Sequence, residues 1–289
     1  MIYVVEIVRY YYVFLKIINY IYKHMTKINL LLTGWLDSTF RLVELAHEDI
    51  EIQPYYIVDT TRGSIPQETQ AMNKILSLLR KKPFTKATIQ DVKLIPDTTI
   101  LTDNDITEKW KFFVNTNKLG SQYDYLARFA KQNNLILEVG LECSERSKAT
   151  NVLKEYGALQ LHSYTSLESQ KDINSWDCFY AITPESAHPY AKAIFENLRF
   201  PSHLFSLEKI EEAELLKEWG CRDILNSTWF CHRPIFGYPC GRCNPCKDAL
   251  NEGMSWRVPV IGRILGTIRG VWNKSFGRVN RLLFKPAKG

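Results

Sequence analysis

The hydrophobic pattern changes period along this chain, and each change marks an element. An apolar run, Ile28 to Leu32, stops at Thr33-Gly34; Asp37, Ser38 and Thr39 follow, and helical spacing takes over from Phe40 to His47. That order predicts a buried strand, a tight turn and a helix start. Ile52 to Val58 predicts a second strand, ending at Asp59-Thr-Thr-Arg-Gly63. Glu68 to Arg80 places Met72, Ile75, Leu76 and Leu79 on one helical face, and Thr85 to Val92 fits a third strand. Pro96 to Asn117 is polar and is expected to be a long loop with a short helix around Trp110. Ser121 to Gln132 predicts a helix, and Leu135 to Val139 a fourth, buried strand running into Gly140-Leu-Glu-Cys-Ser-Glu-Arg146. Further helices are expected over His188 to Leu198 and Leu207 to Trp219. The second has glutamates early and Lys217 late, which suits the helix dipole, and Leu207, Ile210, Leu215 and Trp219 as its expected buried stripe.

Strands alternating with helices predict an α/β fold, a parallel sheet with helices on both faces. Ligands in such sheets bind beyond the carboxyl ends of the strands. The segments Thr33–Thr39, Asp59–Gly63 and Gly140–Arg146 all fall there, which makes Asp59 and Gly140 candidate ligand contacts. A helix start after a Gly turn offers backbone N–H groups and the positive end of a dipole, and so suits phosphate. Thr33, Gly34, Trp35, Leu36, Asp37, Ser38 and Thr39 would form such a cradle. The alternative is an ordinary helix cap, in which Asp37 or Ser38 satisfies the first N–H groups.

Composition narrows the class. With 289 residues and 45% apolar content, one large domain with appendages can bury a full core. The net charge of +6 is unevenly placed: Gly253 to Gly289 holds eight Lys and Arg and no acid, so the body before it is slightly acidic. The body is therefore not a basic nucleic-acid platform. The organisation expected is an extension over residues 1–24, a domain over 25–252 and a basic tail over 253–289. The extension is Tyr- and Ile-rich but interrupted by Glu6, Arg9, Lys16 and Lys23, far short of the roughly 20 apolar residues that span a bilayer. It reads either as an amphipathic extension or as translated upstream sequence, with Met25 as a natural start. The tail mixes Arg and Lys with Trp256, Ile264, Ile268, Trp272 and Phe276. It could lie on an anionic membrane or a nucleic-acid backbone, or pack on the body or on a partner protein.

Cysteines carry the strongest chemical signal. Three of the seven lie in Cys240-Gly-Arg-Cys243-Asn-Pro-Cys246, two overlapping C-x-x-C units on a turn that Gly241 lets close. Cys231 is the natural fourth ligand, and four sulfurs leave no open coordination position, so the zinc expected here is structural. His232 could replace Cys231; an iron–sulfur cluster, a redox pair and metal-free cysteines are the other options. Clustering of this kind points to a reducing compartment and a cytoplasmic protein. Cys143, Cys178 and Cys221 read as small buried hydrophobes.

Two motifs in one chain then resemble a known family. Thr33-Gly34-Trp35-Leu36-Asp37-Ser38 resembles the Ser-Gly-Gly-x-Asp-Ser signature of PP-loop ATP pyrophosphatases. Trp219-Gly-Cys-Arg-Asp-Ile-Leu-Asn-Ser-Thr-Trp-Phe-Cys231 with Cys240-Gly-Arg-Cys-Asn-Pro-Cys246 resembles the zinc segment, here 221–250, of QueC-like 7-cyano-7-deazaguanine synthases. The resemblance spans about Lys27 to Leu250 and implies a Rossmann-like fold of the adenine nucleotide α-hydrolase (HUP) kind. It implies ATP and Mg²⁺ as cofactors beside Zn²⁺, and a 7-deazaguanine-type carboxylate and ammonia as substrates. The carboxylate would be adenylated, amidated and activated again to a nitrile, with release of AMP and pyrophosphate. Asp37, Ser38 and Lys209 would serve catalysis; Lys209 reads equally as a surface lysine among glutamates. A homodimer, and a protein or nucleic-acid partner on the tail, are the assemblies left open. A base-thiolating enzyme and a non-catalytic nucleotide-binding protein are the rival functions. The departures are Trp35 in place of the second Gly, Leu119-Gly-Ser-Gln122 in place of Pro-Gly-Arg-Asn, and Thr60-Thr-Arg-Gly63 in place of Tyr-Gly-Gln-Arg-His.

Overall fold

The computed structural model describes residues 26–141, 147–165 and 173–270. The N-terminal extension, Cys143 and the tail from residue 271 lie outside the described residues. Eight strands are described: β1 Lys27–Leu31, β2 Glu51–Val58, β3 Thr88–Ile89, β4 Lys93–Pro96, β5 Leu137–Glu138, β6 Leu159–Ser163, β7 Cys178–Ile182 and β8 Leu198–Pro201. They form one sheet in the order β3-β2-β1-β5-β8-β7-β6, with β4 continuing the edge along β2.

The strands β1 and β2 run parallel, Lys27 opposite Glu51 through Leu31 opposite Tyr55. Their near-continuous apolar sequence follows from burial on both faces. Ile28, Leu30, Ile52 and Tyr56 enter one core, and Leu31, Tyr55 and Ile57 the other. The first core is covered by helices α1 Leu36–Ala46 and α2 Ile65–Leu79. The second is covered by α3 Asn104–Asn117, α4 Gln122–Gln132, α5 Lys148–Tyr156 and α6 Pro189–Phe195. The later helices α7 Lys209–Glu218, α8 Arg222–Leu225 and α9 Asn244–Asn251 return to the first face. The architecture is thus mixed α/β with a mostly parallel sheet flanked by helices.

Four sequence expectations need correction. The sheet is not wholly parallel: β7 pairs antiparallel with both β6 and β8. No strand fills Thr85 to Val92; two short pieces, β3 and β4, pair with different halves of β2. The stretch expected as loop holds the fourteen-residue helix α3. Asp103 caps it by accepting from the Ile106 N–H at 3.2 Å, and only Ile106 and Phe113 are buried, so a narrow apolar stripe is diluted by polar positions facing water. In α7 the buried positions are Glu212, Ala213 and Leu216, while Leu207, Ile210, Leu215 and Trp219 are only half-buried at its margin. Glu212 is wholly covered there, and its charge favours that of Arg257.

Residues 254–258 also belong to the packed body, Met254 and Val258 being fully covered, and residues 260–270 form a further helix. Among the described residues, no helix is long and apolar enough to cross a membrane.

Candidate functional site

From β1 the parallel order runs to β2 on one side and to β5 on the other, so chain direction splits at the carboxyl ends of β1 and β5. A crevice opens at such a point. Here it is a cleft of about 510 Å³ that takes in Thr33, Trp35, Asp37 and Ser38 after β1 and Val139, Gly140 and Leu141 after β5.

The turn that begins it depends on Gly34. Its φ is +73°, and a Cβ there would lie 3.3 Å from the Glu68 carbonyl oxygen and from Met72 Cγ. Helix α1 then starts at Leu36 with Trp35 as an extended N-cap that makes no side-chain cap. The hydroxyls close the loop on itself. Ser38 Oγ accepts from the Thr33 N–H at 3.1 Å and lies 3.0 Å from Thr33 Oγ1. Asp37 Oδ1 is buried with no hydrogen bond, and Lys209 Nζ stands 3.8 Å from it.

Other candidates lie elsewhere. Leu36 and Thr39 are buried beneath the loop, and Lys209 lies behind it with Arg257 rather than in the main cleft. Asp59 is committed to its own turn, accepting from Thr61 N–H at 3.0 Å, Thr61 Oγ1 at 2.6 Å and Arg62 Nε at 3.1 Å. Burial alone would raise its pKa, but these bonds and the Arg62 charge hold it below the usual carboxylate range. Arg62, from the expected segment Asp59–Gly63, lines the cleft in place of Asp59, together with Lys118 and Lys148, which were not anticipated. Gly120 and Gln122, from the departed helix-start segment, line it too.

The four cysteines do converge. Sγ atoms of Cys231, Cys240, Cys243 and Cys246 all lie within 4.8 Å of one another, Cys243 to Cys246 at 3.4 Å and Cys243 to Cys231 at 3.9 Å. A tetrahedral zinc with Zn–S bonds of about 2.3 Å needs sulfurs about 3.8 Å apart, so the set fits a cation of that size. Backbone N–H groups of Cys240 and Cys243 already point at Cys231 Sγ (3.2 Å) and Cys240 Sγ (3.4 Å). Crowding splits the thiols' acidity. Hydrogen bonding with Cys231 and Cys246 pushes Cys243 down, whereas hydrogen bonding with Cys231 and Cys243 pushes Cys246 up. His232 is not the fourth ligand: its ring packs on the Trp35 indole, centroids 5.1 Å apart. Cys178 and Cys221 are buried away from the group, and burial pushes the Cys221 thiol up to about 11.

This segment and the loop are physically joined. Trp229 N–H donates to the Gly34 carbonyl at 2.8 Å, and Trp229 Nε1 to the Cys231 carbonyl at 2.9 Å. Arg257, assigned to the tail by charge alone, is half-buried against the body, its guanidinium over the Phe230 ring, 4.4 Å from the centroid, and donates to Thr228 Oγ1. Burial lowers its pKa to about 10, and Asp37, Glu212 and Cys246 favour its charge. Nothing in the pattern of the tail marks this one arginine as packed on the body.

A second buried network fixes the two sides of the crevice to each other. Arg41, on α1, is fully covered and donates to both oxygens of Glu138 on β5, from Nε at 2.7 Å and from Nη2 at 3.0 Å. Its Nη1 donates to Glu44 at 2.5 Å, and His203 Nδ1 lies 2.6 Å from the other Glu44 oxygen. Tyr164 Oη donates to Glu138 at 3.0 Å. Burial opposes the Glu44 charge, but Arg41 and His203 outweigh it and hold the pKa low.

Fold and site together define a mixed α/β protein with a polar crevice at the sheet's switch point and a four-cysteine group able to hold a metal ion. No protein-family model matches the chain, and no curated protein matches it.

Proposed function

We propose that the cleft binds ATP and Mg²⁺ and that the protein adenylates a carboxylate in the manner of the QueC-like PP-loop enzymes, on a Rossmann-like HUP framework. The four cysteines would hold a structural zinc. One observation carries the reading. The loop that resembles the PP-loop stands at the switch point of the sheet, and the cysteine segment that resembles the family's zinc segment is hydrogen-bonded to it through Gly34.

In this reading the first N–H groups of α1 and the hydroxyls of Thr33 and Ser38 hold the pyrophosphate that leaves when a carboxylate oxygen attacks the α-phosphorus. Arg62, Lys118 and Lys148 offset phosphate charge from the facing walls. The buried, unbonded Asp37 Oδ1 is the oxygen available to a divalent cation, and Lys209 balances it from behind. Ammonia would then displace AMP from the acyl adenylate. The burial of three of the four cysteines speaks against a thiolating role for them.

Isothermal titration with ATP and Mg²⁺, followed by assay of AMP and pyrophosphate with 7-carboxy-7-deazaguanine, tests this. Expected are saturable binding and AMP release that Asp37→Asn reduces by about 100-fold or more. ATP binding without AMP release from any carboxylate would leave a nucleotide-binding protein whose turnover Trp35 blocks. No ATP binding at all would sink the reading.

A further inference from the structure

Beside the cleft, and sharing His232 and Asn244 with it, lies a second cavity of about 410 Å³ whose walls include Arg233, Arg242 and Arg269. Among the described residues no carboxylate lines it, and none of the three guanidinium groups joins an ion pair. Several other surface cations of the body stand beside a carboxylate, as in Arg80–Asp91, Lys109–Asp105 and Lys131–Asp103. Three like charges gathered without a counter-charge repel one another, and an anion relieves that cost.

The chain is shaped to gather them. Arg269 arrives on the helix over residues 260–270, which lies directly on the cysteine turn. A Cβ at Gly262 would fall 2.1 Å from the Pro239 carbonyl oxygen, and one at Gly266 only 1.9 Å from the Cys240 carbonyl oxygen. Glycine weakens a helix relative to alanine, so this close docking comes at the expense of helix stability. Arg233 lies in the loop between Cys231 and Cys240, Arg242 in the turn between Cys240 and Cys243, and the same cysteines hold both segments.

An independent feature tells which polyanion fits. Ile235 and Tyr238 exchange backbone hydrogen bonds at 3.0 and 2.9 Å around a two-residue turn, Phe236-Gly237, with φ of +49° and +81°. That turn normally carries Asn-Gly, and a bulky aromatic at positive φ is strained. Phe236 is nonetheless placed there with 87% of its surface in water, and Tyr238 is 43% exposed. Arginines that follow phosphates, next to exposed rings that stack on bases, make the combination that binds unpaired nucleic-acid strands.

We propose that this arginine cavity and the Phe236 turn bind a single-stranded nucleic acid, phosphates against Arg233, Arg242 and Arg269 and bases against Phe236 and Tyr238. The binding does not depend on the nucleotide reading of the neighbouring cleft. A strand seated there would end at His232, on the rim of that cleft.

The test is fluorescence anisotropy on the full, metal-loaded chain with labelled single strands of about 12 nucleotides, as RNA and as DNA, over a range of salt concentrations. Saturable binding is expected at low salt. In Arg233→Gln/Arg242→Gln/Arg269→Gln the log–log salt slope should fall by about 2, three phosphates at roughly 0.7 each, and affinity by about 100-fold at low salt. Replacing the same three by lysine should keep the slope. Phe236→Ala should weaken binding about tenfold with the slope unchanged. Preference for RNA, or equal binding of both strands, supports the proposal and tells whether the sugar is read. Unchanged metal content and circular dichroism establish that the variants fold. The proposal is overturned by absence of binding, by full affinity in the glutamine triple, or by loss that follows only Lys274→Gln, Arg278→Gln and Arg281→Gln. Duplex bound as tightly as single strand, or binding to phosphatidylserine vesicles in place of strands, would overturn it as well.

Discussion

The backbone N–H of Trp229 reaches 2.8 Å to the carbonyl of Gly34, and through that bond the cysteine segment holds the turn after the first strand. The two residues are almost 200 positions apart in the chain. Next to the bond, the Trp35 indole lies on the His232 ring, so the cysteine group and the cleft share a wall.

Metal removal should therefore reach the cleft. Elemental analysis is expected to find one zinc per chain, and Cys243→Ser or chelation should lower the melting temperature by on the order of 10 °C. The Trp35 and Trp229 fluorescence should shift in parallel, and ATP binding should fall with it. A chelated chain that keeps both its melting temperature and its tryptophan spectrum would contradict a structural metal.

Gly34→Ala puts a Cβ at positive φ and 3.3 Å from Glu68 and Met72. It should cost about 1–2 kcal/mol in urea unfolding. Gly220→Ala shares the positive φ but meets nothing within 4 Å, so it should cost less. Equal costs would mean that the close approach at Gly34 carries no weight.

Glu138→Gln leaves the buried Arg41 with a neutral partner where it had a two-point ion pair, and with Glu44 as its remaining counter-charge. A loss of about 2–3 kcal/mol is expected. Replacing Arg41, Glu44 and Glu138 together by apolar residues of similar volume should lose much less, because no charge is stranded. If the triple variant were the least stable, the network would be contributing net Coulomb energy rather than avoiding a penalty.

The Glu44 carboxyl is held below its ordinary value of 4.5. A depressed folded-state pKa contributes stability that is fully present above 4.5 and is lost as pH falls through the lower, folded value. Melting temperature followed from about pH 6 down to pH 3 should drop more steeply in the native chain than in Glu44→Gln. Parallel curves would remove Glu44 from the acid transition.

Lys209→Met separates two roles for that lysine. If Lys209 balances Asp37 from behind, AMP formation should fall at least tenfold while stability changes by only about 1 kcal/mol, since the half-buried pair is a loose one at 3.8 Å. Unchanged AMP formation would return Lys209 to the surface of its helix.

What the linear chain determined is local. Buried β1 and β2, the glycine turn after Leu32 and the amphipathic helices follow from period and turn chemistry, which act between neighbours. Cys240, Cys243 and Cys246 were legible for the same reason, since tight C-x-x-C spacing leaves few geometries, and Cys231 followed as the nearest further thiol. The helix Asn104–Asn117 hid because only Ile106 and Phe113 face inward. The antiparallel β6 and β7 lie in a stretch whose pattern assigned no element, and partner strands set their pairing.

Only the tertiary structure could place Arg257 over the Phe230 ring, join Arg41 to Glu138 across 97 positions, or bring Arg233, Arg242 and Arg269 to one cavity. Charged side chains carry no periodic signature, and their partners are chosen by how helices dock. That choice is made by burial and by close approach at glycines such as Gly262 and Gly266, quantities that exist only once the chain has folded.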